Sequence, residues 1–224
     1  MPYRRTPHVA RKQAARQQAI VGAARDAALE GGMAAVQVAQ VAERAGIATG
    51  TVYRYFPSKA DLITAVIGGL AEREVTAIRN AGKAAPGPLS ALAAAIATFA
   101  VRALRQRKLV WAVIADPAET EIEAVRVAFR RTLAEEFETR IAAAMQAGYL
   151  PAQNVKLATA ALIGAMVEGL IGPLAQDGED DPVRVRDAVQ AMTLLSLRAL
   201  GVVDARARGL VVQIALPAAD EKMS

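Results

Sequence analysis

Residues 37–62 read QVAQVAERAGIATGTVYRYFPSKADL, and the reading of this stretch decides the fold. Val38, Val41, Ala42 and Ala45 recur at intervals of three and four, so they share one face of a short helix. Gly46 follows the last of them, where a left-handed C-cap ends a helix. Ile47 is the apolar plug of the turn. In the next helix Val52 and Phe56 face inward, with Ala48 near their line. At about 100° per residue, Gly50 and Arg54 then point nearly opposite Val52, flanked by Thr51 and Tyr53. This outer face is small, hydroxylic, aromatic and basic, and it carries no acid. Pro57 cannot continue the helix. Ser58 caps a third helix, with Asp61 three residues on as the acidic variant of a capping box. Lys59 lies in that helix's first turn, and a helix N-terminus beside a lysine suits a phosphate oxygen. Short helix, glycine turn, short helix, capped helix is the order a helix-turn-helix needs to lay its second helix in a DNA major groove.

The charge distribution points the same way. The 224 residues carry 27 Lys and Arg against 22 Asp and Glu. Residues 1–60 hold nine of the bases (Arg4, Arg5, Arg11, Lys12, Arg16, Arg25, Arg44, Arg54 and Lys59) and only three acids (Asp26, Glu30 and Glu43). The remainder holds 18 against 19, so the whole basic excess travels with the helix-turn-helix. That is the electrostatic footprint of a nucleic-acid-binding domain joined to a neutral one.

The segment VAERAGIATGTVYRYFPSKADL resembles the DNA-binding signature of the tetracycline-repressor (TetR) family of bacterial transcription regulators. The matches are Ala42, Ala45-Gly46, Gly50-Thr51, Tyr53, Tyr55-Phe56, Ser58-Lys59 and Leu62. The resemblance covers roughly residues 14–66 and is weak beyond them. Gln37 stands where the family usually has a Thr or Ser N-cap, and Ala48 where Ser is usual. What the resemblance implies is an all-α chain with an N-terminal helix-turn-helix DNA-binding domain and a C-terminal helical bundle for ligand binding and dimerisation. The expected divisions are a basic arm at 1–12, the DNA-binding domain at 13–70 and the effector-binding and dimerisation domain at 71–224. The residues expected at double-stranded DNA are Arg16, Gln17, Thr49, Gly50, Thr51, Tyr53, Arg54, Tyr55 and Lys59. The arm fits three roles: tracking phosphates, entering a minor groove, or plain solvation.

Helical patterning continues along the chain. Helix one should run from about Arg11 to Glu30 with Ile20, Ala24, Ala27 and Ala28 inward, ended by Gly31-Gly32. The helix from Ser58 should reach about Asn80, with Gly68-Gly69 as a soft spot. Residues 81–88, AGKAAPGP, form the clearest break. Helices are expected at Leu89–Gln106, Leu109–Ala115, Ala118–Ala147, Asn154–Ala175 and Pro182–Leu200. The run Leu210–Leu216, LVVQIAL, is β-like and has no obvious partner.

Leu157–Ala175 holds one charge, Glu168, in 19 residues and is long enough to span a membrane. Its Ala and Gly content, the intramembrane Glu168 and the interrupting Pro173 favour a helix buried on most sides instead. Ala161, Ala165 and Gly169 make a ridge of small residues. With Leu162, Met166, Leu170, Met192, Leu195 and Ala199 that ridge forms a candidate homodimer seam, in keeping with the four-helix interface that the resemblance implies. A purely intrachain core accounts for the same residues. Dimerisation would set two recognition helices about 34–36 Å apart, as a palindromic operator requires.

The resemblance also implies a small-molecule effector inside the bundle. The candidate lining is Phe99, Trp111, Phe129, Phe137, Met145 and Met166, with Arg102, Arg126, Arg130 or Glu168 as polar anchors. With aromatics at 4% of the chain, such a pocket is mainly aliphatic and the effector mainly hydrophobic. Enzymatic chemistry is not expected. The one histidine is His8, cysteine is absent, and no G-x-S-x-G or phosphate-binding loop occurs. Neither a cofactor nor a metal is called for, and the cytoplasm is the natural compartment for a cysteine-free regulator. The expected function is therefore a transcriptional regulator, a repressor released by its effector. A sequence-independent, architectural DNA binder is the alternative, and a membrane-surface protein the third option.

Overall fold

The computed structural model describes residues 7–114, 120–173, 175 and 181–213. Among these the regular structure is entirely helical. Helix α1 (Pro7–Gly31) begins four residues earlier than its pattern predicts, so Arg11 and Lys12 belong to its first turns and not to an arm. Arg4 and Arg5 lie outside the described residues. Its inward stripe, Ile20, Ala24, Ala27 and Ala28, is buried as the spacing requires. A 3-10 turn, Met33–Ala35, leads into α2 (Val38–Arg44) and α3 (Thr49–Tyr55).

The link between α2 and α3 is a Schellman turn. Gly46 N–H donates to the Glu43 carbonyl at 3.0 Å and Ile47 N–H to the Ala42 carbonyl at 3.0 Å. Gly46 sits at φ 64°, where a side chain would be strained. Val52 and Phe56 are buried at 1% and 5%, which fixes the roll of α3.

Helix α4 (Lys59–Ala84) starts on the expected capping box. Asp61 N–H donates to Ser58 Oγ at 3.0 Å while Ser58 N–H donates to the Asp61 carboxylate at 2.9 Å. The helix runs unbroken through Gly68-Gly69 and four residues past Asn80, so the break expected at 81–88 narrows to Ala85–Gly87, between α4 and α5. Its buried residues are Leu62, Ile63, Val66, Ile67, Leu70, Glu74, Val75 and Ile78, one continuous stripe. Helix α1 packs on α4, and α5 and α7 pack on it as well.

The bundle is built round α5 (Pro88–Arg105), 11 of whose 18 residues are buried, enough to close it in on nearly every side. By length and composition α5 also passes for a membrane span, but its contacts are with α4, α7 and α9. Helices α6 (Arg107–Ile114), α7 (Thr120–Gln146), α8 (Val155–Leu170) and α9 (Pro182–Ala199) complete it. Helix α7 turns Ile122, Arg126, Phe129, Leu133, Phe137, Arg140 and Ile141 inward. Helix α8 is shorter than expected, ending at Leu170, and is buried on one side only. Leu157, Ala160, Ala161, Gly164 and Ala165 face outward. The β-like run at the C-terminus instead enters a tenth helix, α10 (Asp204–Gln213), which packs on α9 and α5 through Ala207 and Val211. Its residues 214–216 lie outside the described residues.

Buried charge ties α4 to α7. Arg140 donates to the Glu136 carboxylate at 2.9 Å and to the Ile78 carbonyl at 3.2 Å, and Arg79 of α4 grips the same Glu136. The Arg140 side chain lies across Gly82. A Cβ there would stand 2.7 Å from its Nε, whereas a Cβ at Gly68 would meet nothing within 4 Å. Gly82→Ala is therefore expected to cost about 1–3 kcal/mol by overpacking, and Gly68→Ala to add about 0.5–1 kcal/mol by helix propensity; urea unfolding of the two variants checks the contrast. Burial pushes the Glu136 carboxyl up, but the hydrogen bonds from Arg140 and Arg79 outweigh it and hold the group below its ordinary 4.5. Its stabilisation is thus fully present above pH 4.5 and is lost as pH falls through the lower folded-state value. The difference in urea midpoint between wild type and Glu136→Gln is expected to hold steady at neutral pH and to shrink as pH falls below 4.5.

Candidate nucleic-acid interface and interior cavity

Helix α3 presents the outer face that its spacing predicts. Thr49, Gly50, Tyr53 and Arg54 are exposed, Tyr53 at 48%, while Thr51 and Tyr55 are half-buried at its edges. The Arg54 guanidinium lies 5.7 Å from the centre of the Tyr55 ring, a loose cation–π contact that keeps the arginine over its own helix. No side chain caps α3 at Ala48, and none caps α2 at Gln37. The Gln37 amide instead donates to the Ala34 carbonyl at 2.9 Å, steadying the 3-10 turn before α2.

The helix-turn-helix is braced from behind. Arg44 of α2 donates to the Glu30 carboxylate of α1 at 2.8 Å, and that hydrogen bond lowers the Glu30 pKa. The pair also removes Glu30's free negative charge from the region of the basic face. Lys59, half-buried, begins α4 beside the Ser58 cap. Arg16 and Gln17 are exposed on α1. All nine residues expected at DNA thus lie at or near the surface of the first four helices, and the seven residues of α3 supply six of them within about two turns.

A cavity of about 20 Å³ opens between α4, α5, α6 and α7, roughly the space for one water molecule. Leu70, Glu74, Phe99, Ala103, Gln106, Leu109, Val110, Val113 and Phe129 line it. Of the eight residues expected in a pocket, Phe99 and Phe129 are on its wall. Phe137 and Met166 are fully buried in the general core, and Trp111 and Met145 are half-buried against it. Arg130 is exposed and paired with Glu123 at 2.8 Å. Arg102 sits behind the wall, bidentate to Glu74 at 2.8 and 2.7 Å.

Glu74 was detectable in the sequence. It lies four residues from both Leu70 and Ile78, so the helical period puts it on the apolar stripe of α4. The lining from α6 was not, because which side of so short a helix faces inward depends on its neighbours.

The seam residues divide. Ala161, Ala165, Gly169, Leu195 and Ala199 are exposed, Leu195 at 56%. Leu162, Leu170 and Met192 are buried within the chain, as is Met166. Gly169 lets α8 and α9 approach, since a Cβ on it would stand 2.7 Å from Met192 Cε.

Residues 20–66 match the model of the bacterial regulatory proteins of the tetR family. The chain is 44% identical over 75 residues to the HTH-type transcriptional repressor KstR of Rhodococcus jostii (strain RHA1), which is 34% of each protein. To KstR of Mycobacterium tuberculosis it is 46% identical over 56 residues, 25% of this chain and 26% of that one. The chain therefore matches about a third or less of the length of these curated relatives. Over nearly its whole length it has the fold of RolR in complex with resorcinol, with TM-score 0.66, 22% identity, and 93% and 98% of the two chains covered. FadR of Bacillus subtilis in complex with stearoyl-CoA gives TM-score 0.66 at 18% identity, covering 83% and 98%. The helix-turn-helix of residues 20–66 is thus that of the tetR family of bacterial regulatory proteins, and the chain that carries it has the all-helical fold of RolR and FadR.

Proposed function

We propose that the protein is a dimeric, sequence-specific transcriptional repressor, acting in the bacterial cytoplasm and released from a palindromic operator by a small, mainly apolar effector. The observation that carries this reading is the acid-free outer face of α3, held in register by the Gly46 turn and set beside the capped start of α4. Arg54 and Tyr53 read base edges, with Thr49 and Gly50 leaving room for close approach. Thr51, Tyr55, Lys59, Arg16 and Gln17 hold phosphates. A catalytic role has no support in the residue set.

Coupling between effector and operator has a physical route. The cavity wall includes Leu70 and Glu74 of α4 and Leu109, Val110 and Val113 of α6. Helix α1, the scaffold of the helix-turn-helix, packs on both α4 and α6. A ligand that enlarges so small a cavity must shift α4 or α6, and either shift reaches α1. An effector releases DNA only by binding the shifted arrangement more tightly, with coupling typically about 1–3 kcal/mol. RolR with resorcinol and FadR with stearoyl-CoA are bundles of this fold that take such ligands. The outward faces of α8 and α9, with Leu157 and Leu195 standing among Ala and Gly residues, supply the apolar area that a second copy would cover.

Binding to the DNA upstream of the protein's own gene, followed by fluorescence anisotropy with random DNA as competitor and at several salt concentrations, tests the reading. Tight binding that resists the competitor is expected; equal loss to random DNA would leave only a sequence-independent binder. Arg54→Ala is expected to relax base preference at one position by about 1–3 kcal/mol, and Lys59→Ala to weaken all sequences alike and shallow the salt slope by about one. Leu195→Asp, exposed in the single chain, is expected to yield a folded monomer by light scattering and circular dichroism.

A further inference from the structure

Arg126 of α7 is the most deeply buried charged residue among those described, 2% exposed. A guanidinium stays ionised throughout the working pH range, and taking it out of water is costly unless it is paired. Its compensation here is thin. One Nη donates to the carbonyl of Ala112, in the last turn of α6. The other lies 3.6 Å from Glu123, too far for a hydrogen bond. Nε is buried with no partner. Glu123 does not belong to Arg126 alone, because it is 44% exposed and accepts from Arg130 at 2.8 Å. Arg140 shares the unpartnered buried Nε, but it holds a carboxylate at 2.9 Å, and the half-buried Arg102 holds Glu74 at 2.7 Å; Arg126 has no carboxylate within hydrogen-bond distance.

The location gives this a meaning. Arg126 lies one turn from Phe129 on the inward face of α7, and the carbonyl it holds precedes Val113. Phe129 and Val113 both line the cavity. A water-excluded cation with an unpartnered Nε therefore lies next to two residues of the chamber wall, at the α6–α7 side, without itself lining the chamber.

We infer that the ligand of this bundle is an amphipathic organic anion, with its hydrocarbon part in the α4–α7 chamber and its acid group on Arg126. The inference rests on the reading of the bundle as effector-binding and deepens it. The open Nε–H of Arg126 offers a charged donor to one acid oxygen, and the second oxygen reaches the neighbouring Nη only if that group shares or gives up its bond to the Ala112 carbonyl. The acid group supplies the charge that Glu123 meets only at a distance. The same side chain ties α7 to the end of α6, so a head group that reorients it acts on the helix that packs against α1.

The test compares acids with their own primary amides: octanoate, 4-phenylbutanoate and 2-naphthylacetate, each against its amide, by titration calorimetry and thermal melting of the full chain. At least one acid is expected to bind about 10- to 100-fold tighter than its amide. Arg126→Gln keeps an N–H for the Ala112 carbonyl but loses the charge, and it is expected to bring the pair to within about threefold. A melting temperature for the ligand-free variant close to wild type confirms that the fold is kept. The inference is overturned if amides bind as tightly as acids, if the preference survives in Arg126→Gln, or if none of the six compounds binds. The wild-type comparison decides the matter even where the variant fails to fold. Adding the same compounds to the protein–DNA complex separates the two levels. Release by amides and acids alike sinks the anion assignment and leaves an effector-responsive repressor; absence of any operator binding sinks the repressor reading, while calorimetry still reports on Arg126.

Discussion

Helix α4 has to bury one apolar stripe against two different domains without breaking. Its start is fixed by the Ser58–Asp61 box, which satisfies donors that the first turn leaves open. Its far half is fixed to the bundle through Glu74–Arg102, Arg79–Glu136 and the Arg140 contact with the Ile78 carbonyl. Between them lies a helix of 26 residues, roughly 39 Å long at 1.5 Å per residue. Because both ends are held, the proposed coupling has a stiff path: a displacement of α4 at the cavity would be carried toward the helix-turn-helix and not absorbed locally. The Gly68-Gly69 pair, exposed at Gly68 and half-buried at Gly69, weakens this rod by helix propensity, and it stays helical.

The charges inside the bundle are not equivalent. A buried ion pair returns little net stability, since desolvation of each ion costs several kcal/mol that the partner only repays. Such pairs do fix geometry, because an apolar core alone would let α4 slide against α5 and α7. Glu74–Arg102 and Glu136–Arg140 act as register pins of this kind, and Gly82 leaves the space through which Arg140 passes. Arg126 fits that role poorly, as its only close partner is a backbone carbonyl. A residue kept ionised, buried and underpaired makes the ligand-free state less stable than an apolar substitute would, which is the usual mark of a group retained for binding.

Helices α8 and α9 carry a contiguous run of exposed small and apolar residues. Scattered exposed leucines are ordinary, but Leu157, Ala161, Gly164 and Ala165 follow one face of α8, and Leu195 and Ala199 one face of α9. In a chain whose other half is a short DNA-reading domain, two copies joined here would also solve the problem that one seven-residue recognition helix spans few base pairs.

The amino-terminal half was legible from residues alone, since local rules govern it. A Schellman glycine, a capping box, Pro57 and a three-four apolar rhythm each act within about one helical turn. Helix boundaries in the bundle were legible to within a few residues for the same reason. The errors fell where local signals are absent or ambiguous. The LVVQ of α10 reads as strand by its β-branched residues, yet Ala207 and Val211, four apart, pack it as a helix on α5 and α9. Of the aromatic residues expected at a pocket wall, Phe99 and Phe129 line the cavity, whereas Phe137, like Met166, fills the core; the rest of the wall is Leu70 and Glu74 of α4, Ala103, Gln106 and the aliphatic residues of α6. Periodicity tells which side of a helix is buried; it does not tell which neighbour buries it or where packing falls short. The sequence by itself determined the DNA-reading head and the all-helical class. Only the tertiary structure decided the cavity, the pairing of Glu74 with Arg102 across 28 residues, and the lack of any such partner for Arg126, because each depends on distances between helices far apart in the chain.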